Sequence, residues 1–126
     1  MTDLRKYRPW AVVAGGSEGV GRAFAEQLAE SGVNLVLIAR RSGPLEETAA
    51  ALREQGATVR TLAADLTDPA AITAITELTD DVDVGLLIYN AGANSYGSEF
   101  LDGDLDGFQK VIDLNITAPL ALVRHY

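Results

Sequence analysis

Four short apolar runs alternate with segments of helical periodicity along this chain, and this alternation constrains its fold more than any other feature. The runs cover residues 10–14, 34–39, 57–64 and 83–90. Residues 35–39 are apolar throughout, as expected of a strand that is covered on both faces. A repeated strand–helix order is typical of a parallel sheet with helices on both sides. The sequence therefore predicts the α/β class, with a doubly wound parallel sheet.

The segments between these runs are predicted to be helices. The first carries Val20, Phe24 and Leu28 on one face and ends at Ser31–Gly32. The second begins near Pro44 and ends at Gly56, the third begins at Asp68–Pro69, and the last runs from about Leu105 to the end of the chain. Asp68 is a capping carboxylate, and the proline after it suits a first helical turn.

Composition narrows the kinds of ligand this chain can bind. Its 126 residues suffice for one domain, with ten basic and eighteen acidic side chains and a net charge of −8. This acidity argues against nucleic acid and anionic membranes as partners. The chain has no cysteine and one histidine, which excludes disulfides and thiolate or histidine-rich metal sites. No signal or membrane-spanning run is present, so we expect a cytoplasmic protein.

A glycine-rich turn follows the first predicted strand and opens directly into a helix. It reads Gly15-Gly16-Ser17-Glu18-Gly19-Val20-Gly21. Glycines allow the backbone to approach a phosphate, and a helix N-terminus offers free N–H groups. The spacing differs from the G-x-G-x-x-G of the general dinucleotide fingerprint. By itself the turn is also compatible with a strand–helix connection that only needs conformational freedom.

Two arginines, Arg40 and Arg41, follow the second predicted strand. A site for NAD usually has an acidic residue here for the ribose 2′-hydroxyl, whereas arginine suits a 2′-phosphate. Such a pair is commonly no more than two solvent-exposed charges on a turn, without a role in binding. Its position after the second strand of a glycine-loop unit favours NADP.

The third and fourth strands also end in polar or small residues. Asp65-Leu66 follows the third, and the aspartate could accept a hydrogen bond from an adenine amine or cap a turn. Asn90-Ala91-Gly92 follows the fourth. Its small residues would admit a ligand ring, and its asparagine could tie strand ends together. Since ligands bind beyond the carboxyl ends of parallel strands, these groups are expected to share one site.

The last predicted helix contains an unusual pair, Asn115 and Pro119. Phe108, Val111 and Ile112 form an apolar stripe at helical spacing, and Asn115 is the next residue on that face. Pro119 has no N–H to donate to the carbonyl of Asn115. A proline kink with a satisfied asparagine would explain this pair, and so would a functional distortion.

Taken together, these motifs resemble the short-chain dehydrogenase/reductase family. The match comprises A-G-G-S-E-G-V-G at 14–21, Arg40, Asp65-Leu66, N-A-G at 90–92 and N-x-x-A at 115–118, with alanine at position 14 where the family usually has threonine. The resemblance implies a Rossmann fold and hydride transfer between NADP(H), preferred over NAD(H), and a small-molecule carbonyl or alcohol. It implies one NADP-binding domain over residues 1–126.

The resemblance also implies roles for individual residues. The glycine turn would surround the pyrophosphate and adenosine ribose through Gly15, Ser17, Glu18, Gly19, Val20 and Gly21. Arg40, with Ser17 and Arg41 beside it, would hold the 2′-phosphate, while Asp65 and Leu66 would bracket the adenine. Asn90, Ala91 and Gly92 would lie near the second ribose. Asn115 would be catalytic, its carbonyl accepting from a water of a proton relay.

The family's remaining catalytic residues, a serine and a Tyr-x-x-x-Lys, have no counterpart here. Lys6 and Lys110 are the only lysines, and neither follows a tyrosine by four positions. We therefore expect a fold truncated after the fourth strand and its helix, inactive alone and forming part of a longer enzyme. The full-length enzyme is expected to be a homo-oligomer, because the family often pairs through this helix.

Two alternatives remain at the sequence level. One is a non-catalytic dinucleotide-binding protein, a sensor or pseudo-enzyme without the serine and the Tyr-x-x-x-Lys. The other is a doubly wound domain for a different phosphate ligand. Within the loop 93–104, Tyr96, Phe100 and Leu101 could line an apolar substrate pocket or serve ordinary packing.

Overall fold

The computed structural model describes residues 3–7, 9–92 and 101–126, and within them strands and helices alternate. After a 3₁₀ turn at Leu4–Tyr7, the elements are β1 (Trp10–Ala14), α1 (Gly19–Glu30), β2 (Asn34–Ala39), α2 (Ser42–Glu54), β3 (Val59–Ala63), α3 (Pro69–Leu78), β4 (Val84–Tyr89), α4 (Leu105–Ile112) and α5 (Ala118–His125). A π-helical segment, Asp113–Thr117, joins α4 to α5 and is called the π-segment below.

The four strands form one parallel sheet in the order β3-β2-β1-β4. β1 is central, with Val12 beside Val36 of β2 and Val13 beside Ile88 of β4. The predicted doubly wound α/β sheet is confirmed, and its arrangement is Rossmann-like. Because every strand runs the same way, all four carboxyl ends meet along one edge.

Helices cover both faces of the sheet, as the apolar strands predicted. On one face, side chains of α1 and α2 pack on alternate residues of β1 and β2; the main members are Leu28, Leu45, Leu52, Val13, Leu35 and Leu37. On the other face, α3 and α5 do the same; the main members are Ile75, Leu122, Val12, Val36 and Ile38. Burying both faces of β1 and β2 provides the main hydrophobic stabilisation.

The prediction of which face of α1 is buried is wrong by one residue position. Leu28 is buried, but Val20 is 61% exposed and Phe24 is 45% exposed. The buried face instead carries Gly21, Ala25 and Leu28. Close packing of the Gly21 backbone against the preceding turn sets the rotation of the helix, and the two larger side chains consequently face outward.

The helical region after Leu105 also differs from its prediction. It begins at Leu105 as expected, but the π-segment interrupts it, and Gly107 is the buried residue of α4. In the predicted buried stripe, Phe108 and Val111 are half-buried and Ile112 is 45% exposed. The stripe is therefore not a core face within the described part of the chain. None of the helices in these ranges is both long and apolar enough to cross a bilayer.

Candidate functional site

A cleft of about 390 Å³ opens at the carboxyl ends of the strands. Every strand contributes to it through the residues that follow it. The lining residues are Gly15, Ser17, Glu18, Ile38, Ala39, Arg40, Arg41, Ala64, Leu66, Asn90, Ala91, Gly92 and Leu114. Nine of the predicted site residues are among them, so the structure brings together groups that are far apart in the sequence.

The glycine turn fits tightly between α1 and the end of β4. Gly15 has a φ of +85°, and a Cβ there would lie 2.8 Å from the amide nitrogen of Ala91. A Cβ on Gly21 would lie 1.9 Å from the carbonyl oxygen of Gly15. Side chains at these two positions would collide with backbone. The turn therefore requires glycine for close approach, and it leaves the N-terminus of α1 open toward the cleft.

Asn90 and Ala91 are bound to the strand end beside them. Both backbone N–H groups donate to the carbonyl of Ala14, over 2.8 and 3.1 Å. A Cβ on Gly21 would lie 3.2 Å from Asn90 Nδ2, which places the amide side chain next to the glycine turn. The hydrogen bonds that tie the two strand ends here come from the backbone, so the tying role of the Asn90 side chain stays a prediction.

The two arginines line the cleft beside the glycine turn. Arg41 Nη2 donates to Glu18 Oε1 over 2.5 Å, and both side chains are exposed. An exposed ion pair of this kind contributes little to stability, so Arg41 can exchange the carboxylate for another anion. Together, Arg40 and Arg41 supply positive charge to a cleft in an otherwise acidic chain.

Asp65 adopts the turn role that the sequence left open. Its Oδ1 accepts from the Thr67 N–H over 2.9 Å and from the Thr67 hydroxyl over 2.7 Å. These two hydrogen bonds hold the pKa of Asp65 below its ordinary value, and the positive charges of Arg40 and Lys110 act in the same direction. Leu66 is buried and lines the cleft. The adenine contact of Asp65 stays a prediction.

Asn115 lies in the π-segment and faces the turn after β4. A Cβ built on Gly92 would lie 2.9 Å from Asn115 Oδ1, while Asn115 Nδ2 donates to the carbonyl of Val111 over 2.9 Å. π-helical segments occur frequently at functional sites. The structure thus places this predicted catalytic residue next to the cleft, although its side chain is not part of the lining. Gly19, Val20, Gly21 and Asp65 also lie outside the lining.

Two residues that shape the site were not predicted from the sequence. Thr48 is buried in α2, and its hydroxyl donates to the carbonyl of Ser17 over 2.9 Å, which fixes the glycine turn. Leu114 lines the cleft from the π-segment. Thr48 gave no signal because it is far from the turn in sequence. Leu114 could have been found through its neighbour, Asn115.

The predicted substrate loop is only partly described. Tyr96 and Phe100 lie outside the described residues. Leu101 is 92% exposed, so it neither lines a pocket nor packs in the core among the residues that are described. The apolar pocket that the sequence suggested therefore has no support from Leu101.

Three comparisons relate this chain to known proteins. The family model for the short chain dehydrogenase matches residues 9–126. The 7beta-hydroxysteroid dehydrogenase of Clostridium sardiniense is 34% identical over 127 residues, which include 100% of this chain and 48% of the relative. A solved structure of a 7beta-hydroxysteroid dehydrogenase has a TM-score of 0.92 at 32% identity, covering 99% of this chain and 50% of the other.

A second solved structure is a short-chain dehydrogenase from Sphingobium yanoikuyae in complex with NADPH. It is 38% identical with a TM-score of 0.85, over 94% of this chain and 47% of the other. This chain therefore spans about half the length of each of these three proteins.

Proposed function

This chain belongs to the short-chain dehydrogenase family, and from that membership we propose that it binds NADP(H) for an oxidoreductase acting on a carbonyl or alcohol. Residues 1–126 would form one NADP-binding domain. The observation that carries the proposal is the cleft, where the glycine turn, Arg40, Arg41 and Asn90–Gly92 meet at one edge of the sheet. A hydroxysteroid dehydrogenase is among the relatives, so a ketosteroid and its alcohol are the first substrates to assay.

The residues present fit a dinucleotide with a 2′-phosphate. The glycine turn excludes side chains by its close contacts at Gly15 and Gly21, which leaves backbone N–H groups to meet a pyrophosphate. Arg40 and Arg41 would hold the 2′-phosphate, because arginine matches phosphate geometry. Leu66 and Ala64 offer apolar contact to an adenine. When bound, the cofactor supplies the hydride chemistry.

Asn115 is proposed to assist proton movement at the opposite end of the cleft. Its side chain approaches Gly92, the residue that we expect near the second ribose. General acid–base chemistry needs groups held within hydrogen-bonding reach of the proton they move. The π-segment, which carries Asn115, supports this role by presenting the residue toward the strand ends rather than into the core.

The NADP preference is tested by titrating the protein with NADPH and NADH and following nucleotide fluorescence. We expect NADPH to bind more tightly. We also expect Arg40→Ala to weaken NADPH binding by about tenfold or more, because a hydrogen bond to a charged group is lost, with NADH binding nearly unchanged.

Arg124→Ala is the matched control for this experiment. It removes the same charge from α5, where the neighbouring Val123 and Tyr126 lie beside the start of β4, away from the cleft. This variant should bind NADPH like the unsubstituted protein. The NADP preference would be rejected if the unsubstituted protein bound NADPH and NADH with equal affinity and Arg40→Ala left both affinities unchanged. Absence of binding to either nucleotide would reject the function.

A further inference from the structure

The hydroxyl of Tyr89 connects the end of β4 to the π-segment. It donates to the carbonyl oxygen of Leu114 over 2.5 Å. Tyr89 is the last residue of β4 and is half-buried, and its backbone lies beside Ala14 of the central strand. One end of this hydrogen bond is therefore anchored in the sheet. The other end lies in the helical region that carries Asn115.

At the spacing of the π-segment, the helix offers no donor to the Leu114 carbonyl. In the π-segment, the Ala118 N–H donates to the carbonyl of Asp113, five residues back. At the same spacing, the partner of the Leu114 carbonyl would be residue 119, which is a proline without an N–H. A buried or half-buried carbonyl without a donor is costly, so the Tyr89 hydroxyl completes the hydrogen bonding of the π-segment.

The same hydrogen bond fixes the part of the π-segment that faces the cleft. Leu114 lines the cleft together with Asn90, Ala91 and Gly92. Asn115 is the next residue, and its Oδ1 is the atom closest to a Cβ built on Gly92. Any rotation of the π-segment about its axis would change both contacts. The hydrogen bond to the Leu114 carbonyl thus fixes the position of the π-segment relative to the sheet at this end of the cleft.

We propose that Tyr89 is a positioning residue, whose hydrogen bond to Leu114 holds the π-segment so that Leu114 and Asn115 meet the nicotinamide end of the cofactor. This inference rests on the proposed function. Within the described residues Tyr89 does not itself line the cleft, and it acts on the cleft through Leu114, which does. Burial raises the pKa of the Tyr89 phenol to about 12, so the hydroxyl stays protonated and remains a donor at neutral pH.

The test compares Tyr89→Phe with Tyr126→Phe in the protein that carries this sequence. Both substitutions keep the ring and remove one hydroxyl. The Tyr126 hydroxyl lies 2.6 Å from Thr79 Oγ1, and its ring lies beside the start of β4. Two ligands are titrated: NADPH, and adenosine 2′,5′-bisphosphate, which represents only the adenine end of the cofactor. A general loss of folding would weaken the binding of both ligands by the same factor.

We expect Tyr89→Phe to weaken NADPH binding by about fivefold, the equivalent of one net hydrogen bond. The affinity for adenosine 2′,5′-bisphosphate should change by less than about twofold. Tyr126→Phe should leave both affinities unchanged. Unchanged NADPH affinity in Tyr89→Phe, or equal weakening of both ligands, would overturn the positioning role. If the unsubstituted protein binds neither ligand, the proposed function fails instead, and the two failures are thereby distinguished.

Discussion

At the residue scale, Gly21 is the described glycine at which an added Cβ atom would meet the closest contact. A Cβ there would lie 1.9 Å from the Gly15 carbonyl oxygen, a backbone atom that cannot move without displacing the turn. We expect Gly21→Ala to lower the free energy of unfolding by about 2–3 kcal/mol, in the range of overpacked sites. Urea denaturation of the two proteins measures this difference.

Gly43→Ala is the matched control, because it adds the same methyl group where nothing lies within 4 Å. Gly43 is in α2, and alanine is the better helix former. The free energy of unfolding should therefore stay unchanged or rise by up to about 1 kcal/mol. If Gly21→Ala is as stable as the unsubstituted protein, the glycine turn is not as tightly packed as the structure shows.

At the scale of elements, Tyr89 and Pro119 both affect which donor the Leu114 carbonyl of the π-segment can have: the Tyr89 hydroxyl donates to it, and Pro119 has no N–H to do so. Replacing Pro119 by alanine restores an N–H at the position that, at π spacing, faces the Leu114 carbonyl. Pro119→Ala should then recover part of the stability that Tyr89→Phe loses. We expect a coupling free energy above about 0.5 kcal/mol in a double-mutant cycle measured by urea denaturation.

The cycle of Pro119→Ala with Tyr126→Phe serves as the comparison, since the Tyr126 hydroxyl interacts with Thr79 rather than with the π-segment. Those two changes should be additive within the error of such cycles. Additivity of Tyr89→Phe with Pro119→Ala would mean that the Tyr89 hydroxyl and the N–H introduced at position 119 do not compete for the Leu114 carbonyl.

At the scale of the whole molecule, stability depends on pH through Asp65. Hydrogen bonds from Thr67 lower the pKa of its carboxyl below the ordinary 3.8. The unfolded chain therefore takes up a proton at higher pH than the folded one. This contribution is fully present above pH 3.8 and is lost as the pH falls through the lower native value.

We accordingly expect Asp65→Asn to be less stable than the unsubstituted protein at pH 7, with the difference narrowing as the pH falls below 3.8. Chemical denaturation of both proteins across a pH series measures this difference in the free energy of unfolding. Asp83→Asn makes the same change to the net charge of −8 and leaves the two hydrogen bonds between Thr67 and Asp65 in place, so it controls for the loss of one negative charge. A difference for Asp65→Asn that is constant from pH 7 to pH 3 would contradict the linkage.

Much of the fold and the grouping of the site could be predicted from local sequence. Runs such as residues 35–39 are apolar throughout because both faces of the strand are buried, and that signal is contained in the run itself. The parallel order then brings the ends of all four strands to one edge, so Gly15, Arg40 and Asn90 were expected to share a site.

Other features could not be predicted because they depend on contacts between distant residues. The side chains of Val20 and Phe24 face outward because Gly21 packs against Gly15, and helical spacing alone favoured the larger residues as the buried ones. Thr48 stabilises the glycine turn from a different helix. Neither contact leaves a periodic signal.

The sequence by itself determined the α/β class, the strand order along the chain, the glycine turn and the residues placed at the strand ends, because each follows from local periodicity and backbone chemistry. Only the tertiary structure decided the rotation of α1, the exposure of α4 and the π-segment opposite Tyr89. Those features follow from close packing and from a hydrogen bond between β4 and the π-segment, which no local pattern encodes.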